Sequence, residues 1–166
     1  MKYYKIPQPE DISVREREDA MGAYLMMFAA LAIGLPFPSL NLIAAVIYYF
    51  VNRKKGRFVH FHTLQSLYSQ IPTSLLNIGL VAWFIRMIVE DDFTFSDNFL
   101  VYILLVATVN VAYLIFSIIA AVKARKGQFY YFMVVGEWAF KQAYSIKDKT
   151  EESSQDNNYP KTLLRK

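Results

Sequence analysis

Three long stretches of the chain, residues 21–51, 63–85 and 98–122, contain no aspartate, glutamate, lysine or arginine. An α-helix rises about 1.5 Å per residue and the hydrocarbon core of a bilayer is about 30 Å thick, so about 20 apolar residues are enough to cross it. Each stretch is longer than that. The pattern therefore predicts an all-α, polytopic integral membrane protein.

The first of these stretches is interrupted near its middle. Gly34 is followed by Pro36 and Pro38, and a glycine cap followed by two residues that cannot continue a helical hydrogen-bond ladder marks the end of a helix. We expect one helix to end near Gly34 and a second to run over residues 39–52. Each is only about 20 Å long, which is too short to cross a bilayer alone. A thin helical hairpin that dips in and out of the membrane and a single bent, tilted span both remain open.

The charges between the apolar stretches indicate the orientation. Residues 53–57 and 123–126 form two basic connections, whereas residues 90–97 form an acidic one. The positive-inside rule assigns the basic connections to the cytoplasm and the acidic connection to the outside. A hairpin then puts the N-terminus inside, and a single span puts it outside. Basic residues near the N-terminus favour the inside, and hence four helices in a bacterial cytoplasmic membrane.

Composition divides the chain into four segments. The first 20 residues are charged, and Ser13 precedes Glu16 with the spacing of a capping box, so a helix is predicted to begin near Val14. The last apolar stretch is followed by many aromatic residues, which favour the headgroup level and predict an interfacial helix. The predicted segments are a cytoplasmic segment (1–20), a transmembrane helical domain (21–126), an interfacial amphipathic segment (127–146) and a polar tail (147–166).

Composition also limits the chemistry. The net charge of +4 in 166 residues is confined to the ends and connections, so we predict no nucleic-acid-binding face. The chain has no cysteine, which excludes disulfides, thiolate metal sites and a cysteine nucleophile. His60 and His62 are the only histidines, and two positions apart on a helix they point about 200° apart, so they cannot chelate one metal. We expect no catalytic residue, no cofactor and no metal.

One face of the helix predicted over residues 63–85 is polar. Its polar side chains recur every three to four positions, the helical repeat, and include Ser66, Gln70, Thr73, Ser74 and Asn77. We expect this face to be hidden from lipid. It either packs on the last span through Asn77 and Asn110, or lines an aqueous path, or contacts a helix of a partner protein.

Two short motifs resemble a known family. Residues 52–67 read NRKKGRFVHFHTLQSL and residues 121–131 read AVKARKGQFYY. They resemble the Tic-twenty-like family, which includes the small four-helix subunit of the chloroplast inner-envelope import translocon and a bacterial branch known mainly as a domain of unknown function. The proline that usually follows the aromatic pair in that family is replaced here by Phe132. The matching residues are Phe58, Val59, His62, Gln65 and Leu67 in the first motif and Lys123, Gly127 and Tyr130 in the second.

The resemblance implies four helices with both ends on one side and, for the plastid members, a part in protein translocation. We therefore predict a non-enzymatic accessory or scaffold subunit of a bacterial inner-membrane complex, with protein translocation as the favoured process. Its expected partners are other integral membrane subunits, lipids or a second copy of the chain. The residues predicted to contact them are Phe58, Val59, His62, Gln65, Gln70, Asn77, Asn110, Lys123, Gly127 and Tyr130.

Two other functions remain open. A self-sufficient channel or small-solute transporter would need the polar face that contains Gln70 and Asn77 to be wet. A lipid-handling enzyme would need His62 and an acidic residue to meet at the membrane surface.

Overall fold

The computed structural model describes residues 3–28, 38–90, 95–133 and 135–146. This part of the chain is all-helical, with five α-helices and no strand beyond one isolated bridge between Tyr3 and Ser145. Two single 3-10 turns, Pro9–Asp11 and Met26–Phe28, flank the first helix. The α-helices are α1 (Val14–Leu25), α2 (Pro38–Asn52), α3 (Arg57–Val89), α4 (Asp97–Arg125) and α5 (Val135–Tyr144).

The predicted capping box begins α1. The Ser13 hydroxyl accepts a hydrogen bond from the Glu16 backbone N–H at 3.2 Å, and the Glu16 carboxylate accepts one from the Ser13 backbone N–H at 3.2 Å. Such caps are worth about 1 kcal/mol because they satisfy backbone donors that the first helical turn leaves free. The predicted start near Val14 is confirmed. The predicted break lies outside the described residues except for Pro38, where α2 begins.

The start of α1 and the end of α2 lie at the same end of the molecule. Glu18 in the first half of α1 pairs with Arg125 at 2.6 Å, and Asp19 pairs with Lys55, just after α2, at 2.9 Å. The hydroxyl of Tyr48 in α2 also donates to the Asp19 carbonyl at 2.9 Å. Both basic connections therefore lie beside the start of α1.

Only α3 and α4 are long and apolar enough to cross a membrane among the described helices. They have 33 and 29 residues, or about 50 and 44 Å of helical rise, whereas α1 has 12 and α2 has 15. In the most apolar part of each long helix only 17% of the residues are buried, which is unlike the core helix of a soluble protein. Exposed apolar residues include Leu75, Ile78 and Phe84 on α3 and Val101, Leu104 and Ile115 on α4.

The segment predicted to be interfacial contains α5, which packs on α3. Its small residues Gly136, Ala139 and Ala143 are buried, and they let α5 approach Phe61 and Leu64 of α3 closely. Part of the apolar face that the sequence assigned to the membrane surface is therefore in contact with another helix. The predicted tail, residues 147–166, lies outside the described residues.

Most of the buried core lies at the end of the bundle that carries the basic connections. One cluster there joins α1, α3 and α4 and contains Ile12, Ala20, Tyr24, Phe58, Ala120, Ala121 and Ala124. The second joins α3 and α5 and contains Phe61, Leu64, Ala139, Ala143 and Tyr144. We call this end the junction. It contains the central polar contacts of the site described next.

Candidate functional site

The centre of the junction is a set of buried polar groups around Gln65, which we call the Gln65 node. It consists of the side chains of Tyr24, His62 and Gln65 and the backbone of Tyr130 and Phe132. The Gln65 amide nitrogen donates to the Tyr24 hydroxyl and to the Tyr130 carbonyl, both at 2.8 Å. Its amide oxygen accepts from the Phe132 N–H at 3.2 Å. One side chain thus ties α3 to α1 and to the segment between α4 and α5.

The node extends from Gln65 through Tyr24 to His62. The Tyr24 hydroxyl accepts from the Gln65 amide and shares a 2.9 Å hydrogen bond with Nδ1 of His62. Which of these two groups donates is set by the tautomer of the imidazole.

Aromatic rings enclose His62 completely. Its ring lies 4.5 Å from the ring of Phe58 and 4.9 Å from that of Phe61, measured between centroids, and Nε2 has no hydrogen-bond partner among the described residues. Val59 beside it is also fully buried. The Phe58 ring is likewise packed inside the junction at 3% exposure. His62 has no solvent access for acid–base chemistry or metal binding.

The helix cap at the end of α4 positions the backbone to which the Gln65 side chain is hydrogen-bonded. Gly127 has a φ of 73°, a left-handed conformation that glycine adopts without steric cost. Its N–H bonds the Ala124 carbonyl at 2.9 Å, and the Gln128 N–H bonds the Lys123 carbonyl at 2.9 Å, which together make a Schellman cap. The Lys123 ammonium also donates to the Gln128 side chain at 3.2 Å. The chain then extends toward α5, and Tyr130 contributes its carbonyl to the node.

Further along α3, the polar face turns from α1 to α4. The Ser66 hydroxyl donates to the Ala23 carbonyl of α1 at 2.7 Å. Three turns later the amides of Asn77 and Asn110 form two reciprocal hydrogen bonds of 3.1 Å each. Each amide also donates to a carbonyl one turn back in its own helix. The structure thus brings Asn77 and Asn110 together, while their role toward partners stays a prediction.

Between these two contacts lies a small group of unpaired polar atoms. The amide oxygen of Gln70 and the hydroxyls of Tyr113 and Ser117 are buried without a hydrogen-bond partner among the described residues. The Tyr113 side chain lies beside the side chains of Gln70 and Ser117. Among the described residues, the Gln70 side chain makes one hydrogen bond, a donation from its amide nitrogen to the Ser66 hydroxyl at 3.3 Å. Gln70 therefore differs sharply from Gln65, which has the same side chain and similar burial.

Outside the long helices, two charge effects are clear. Burial raises the pKa of Tyr144, whose ring stacks on Phe140. On the exposed side of α5, a hydrogen bond and the charge of Lys141, 2.5 Å away, lower the pKa of the Glu137 carboxyl, and Glu137 raises the pKa of Lys141 in return. The charged pair therefore lies on the exposed side of α5, and Tyr144 lies on its buried side.

The acidic connection lies at the opposite end of α3 and α4 from the junction. Glu90 pairs with Arg86 at 2.9 Å, and Asp97 is the first residue of α4. Asp91 and Asp92 lie outside the described residues. Among the residues that the structure does describe, no three histidine, aspartate or glutamate side chains are grouped closely enough to hold a metal ion.

Sequence reasoning missed three members of the site. Tyr24 and Phe132 complete the Gln65 node, and Gly136 fits against it, because a Cβ there would lie 2.8 Å from the Gln65 amide oxygen and 2.9 Å from the Tyr131 Cα. A signal for Gly136 existed, since it is the one glycine in an aromatic-rich helix. None existed for Tyr24, whose partners lie about 40 positions away in the chain.

Comparison with known proteins corrects the family inferred from the sequence. Residues 17–139 match the model of MamF_MmsF, the magnetosome magnetite crystal formation protein family. No curated protein and no solved structure matches the chain. The resemblance to the Tic-twenty-like family is therefore wrong, and so is the predicted role in protein translocation; the channel or transporter alternative has no support either. The two motifs misled because they encode a tight basic turn and a glycine helix cap, which any helical membrane protein can use.

Proposed function

The chain belongs to the magnetosome magnetite crystal formation protein family, and we propose that it acts in magnetite crystal formation as a non-enzymatic, multi-pass protein of the membrane that encloses the crystal. The observation that carries the proposal is the family match over residues 17–139, which is more than two thirds of the chain. The general cytoplasmic-membrane location expected from the sequence is replaced by this more specific one.

The apolar surfaces of α3 and α4 support the membrane location. Most side chains in their apolar segments are exposed, and burying such a surface in lipid removes the cost of exposing it to water. The paired Asn77 and Asn110 amides hold these two helices together at a depth where unpaired polar groups are costly. In this proposal α3 and α4 cross the membrane, and α1 and α2 form a hairpin that enters and leaves on one side.

Charge supports a definite orientation. The junction carries both basic connections, so the positive-inside rule assigns it to the cytoplasm. The acidic connection between Glu90 and Asp97 then faces the lumen, where the crystal grows. Carboxylate oxygens are ligands that hard metal cations prefer. We propose that this connection is the part of the chain that meets iron or the mineral surface.

The geometry of the junction supports a non-enzymatic role. His62 is enclosed by aromatic rings and its Nδ1 is occupied by Tyr24, so it is placed to hold three chain segments together rather than to transfer protons. Neighbouring membrane proteins, a second copy of the chain, and lipids are the proposed contacts of the exposed apolar faces of α3 and α4.

Deletion and complementation in a magnetite-forming bacterium test the function. We expect deletion to change the size or number of crystals seen by electron microscopy, and the intact chain to restore them. A Glu90→Gln/Asp97→Asn variant should restore them only in part, because it removes two lumenal carboxylates. A matched Glu10→Gln/Asp11→Asn variant removes two carboxylates at the junction end and should restore them fully.

Each outcome has a distinct meaning. Unchanged crystals after deletion would overturn the proposed function. Equal behaviour of the two double variants, with the chain present in the magnetosome membrane in both, would overturn the proposed role of the acidic connection.

The absence of cysteine from the chain allows a clean test of orientation. Single cysteines can replace Val14 and Lys54 at the junction and Glu90 at the other end, all of which are exposed. On intact isolated magnetosomes, whose outer face is the cytoplasmic face, a membrane-impermeant thiol reagent should label the first two. It should label Glu90→Cys only after the membrane is permeabilised. Labelling of Glu90→Cys on intact magnetosomes would contradict the orientation.

A further inference from the structure

An apolar groove of about 320 Å³ runs between α1 and α4. Leu25 and Phe28 form one wall, and Ile118 and Val122 form the other. The volume lies at the lower end of the range of about 300–1,000 Å³ that ligand sites occupy. The groove is separate from the Gln65 node, which Tyr24 closes off from it.

The groove has charge at one end only. Arg125 and Lys126, the last residue of α4 and the residue after it, line that end. Arg125 pairs with Glu18, whereas the Lys126 ammonium has no ion-pair partner among the described residues. At this end Arg125 is paired with Glu18 and Lys126 adds a second cation, whereas the lining of the groove itself is apolar.

The length of the groove matches one leaflet of a bilayer. Along α4 it extends from Ser117 to Lys126, nine residues or about 14 Å of helical rise. Half of a 30 Å hydrocarbon core is about 15 Å. A molecule that fills the groove and also meets its mouth therefore has an apolar part about one leaflet long and an anionic end.

We propose that this groove binds an anionic phospholipid, with one acyl chain between α1 and α4 and its phosphate against Lys126 and Arg125. A basic pocket between membrane helices suits an anionic headgroup through charge attraction. The leaflet is cytoplasmic if the proposed orientation holds, whereas binding itself does not depend on that orientation or on the role in crystal formation.

The test measures lipid retained by the purified full chain. The protein in mild detergent is titrated with phosphatidylglycerol or with phosphatidylcholine of the same acyl chains, and bound lipid is counted by native mass spectrometry. We expect one phosphatidylglycerol to be retained in preference to phosphatidylcholine. Lys126→Gln should weaken phosphatidylglycerol binding about fivefold, the effect of one basic residue near an anionic headgroup. Lys54→Gln, which removes the same charge at the other basic connection, should leave it unchanged.

A second pair of variants tests the apolar part. Ile118→Trp should fill the groove and abolish retention, and it should fold because Ile118 is 49% exposed. Ile115→Trp, at 52% exposure on the same helix but outside the groove, is the control. Three results would each overturn the proposal. They are equal retention of both lipids, equal weakening by Lys126→Gln and Lys54→Gln, and retention that Ile118→Trp does not change. Absence of any bound lipid would overturn it too.

Discussion

Replacing Gln65 by leucine should destabilise the protein far more than the same replacement at Gln70. Leucine has nearly the volume of glutamine, so the change removes the amide and leaves little cavity. At Gln65 it leaves the Tyr130 carbonyl and the Phe132 N–H without their partner, and the Tyr24 hydroxyl without its donor. At Gln70 it removes one long hydrogen bond and an amide oxygen that has no partner.

The expected loss of stability follows from the number of hydrogen bonds that Gln65 makes. A hydrogen bond contributes a net of about 1 kcal/mol to stability, so the three bonds of Gln65 are worth about 3 kcal/mol. For a chain of about this size, 1 kcal/mol shifts the melting temperature by about 2–4 °C, so Gln65→Leu should lower it by about 6–12 °C. Gln70→Leu should change stability by less than about 0.5 kcal/mol, because burying an unpaired amide costs about as much as its one weak bond gains.

Thermal unfolding of both variants in the same mild detergent, followed by circular dichroism, provides the measurement. Hydrogen exchange should show where the loss falls: Gln65→Leu should expose the backbone amides of α5 and of Phe132, while α4 stays protected. Equal melting temperatures for the two variants would refute the reasoning, since the two sites share residue type, helix and burial and differ only in their partners.

Three further changes test other contacts. Gly136→Ala should lower stability by about 1–3 kcal/mol, because its Cβ would meet the Tyr131 backbone as well as the node, and thermal unfolding measures this. A double-mutant cycle of Asn77→Leu and Asn110→Leu should give a coupling of about 0.6 kcal/mol, the average for hydrogen bonds between membrane helices. The Glu137 carboxyl should titrate below its ordinary pKa of 4.5 and return to that value in Lys141→Met, as carbon-detected NMR can show.

Each of these has a control or a contrary result. Gly56→Ala should cost at most about 1 kcal/mol, because a Cβ there meets only the Glu16 side chain, whose carboxylate belongs to the α1 cap; an equal loss at both glycines would contradict the backbone clash. Zero coupling in the asparagine cycle would mean that the two amides find other partners. For Glu137 the sign is defined: its pairing stabilises α5 above the ordinary carboxyl pKa and is lost as pH falls through the lowered one, so stability that rises on acidification would contradict it.

Local signals predicted the helices well. The Ser13 capping box and the end of α2 at Asn52 were both readable, because caps and breaks are encoded within a few neighbouring residues. The long helices extend past the charge-free stretches, over Arg57–Val89 and Asp97–Arg125. A helix can continue from the membrane into water while its backbone hydrogen bonds continue. The end of an apolar stretch therefore does not mark the end of the helix.

The junction was less predictable. Its key contacts join residues 38 to 67 positions apart, and a single sequence carries no local signal for such pairs. For this reason no local signal indicated that Phe58 is buried or that the small residues of α5 pack on α3. The periodic polar face of α3 did indicate that Gln70 and Asn77 avoid lipid, but it could not distinguish the well-paired Gln65 from Gln70.

The contacts of the Gln65 node join distant parts of the chain, so they form in a set order during synthesis. The contact of Gln65 with Tyr24 can form once α3 has been made, but its contacts with Tyr130 and Phe132 need the chain to have been synthesised past both long helices. Until then the amide oxygen of Gln65 lacks its partner, and α5 is not present to cover Phe61 and Leu64. The segment after α4 is therefore joined to α1 through Gln65 only when insertion is complete. A chain stopped or cut before residue 128 would keep the cluster that joins α1, α3 and α4, but it would lack the Gln65 contacts with Tyr130 and Phe132 and the cover that α5 gives to α3.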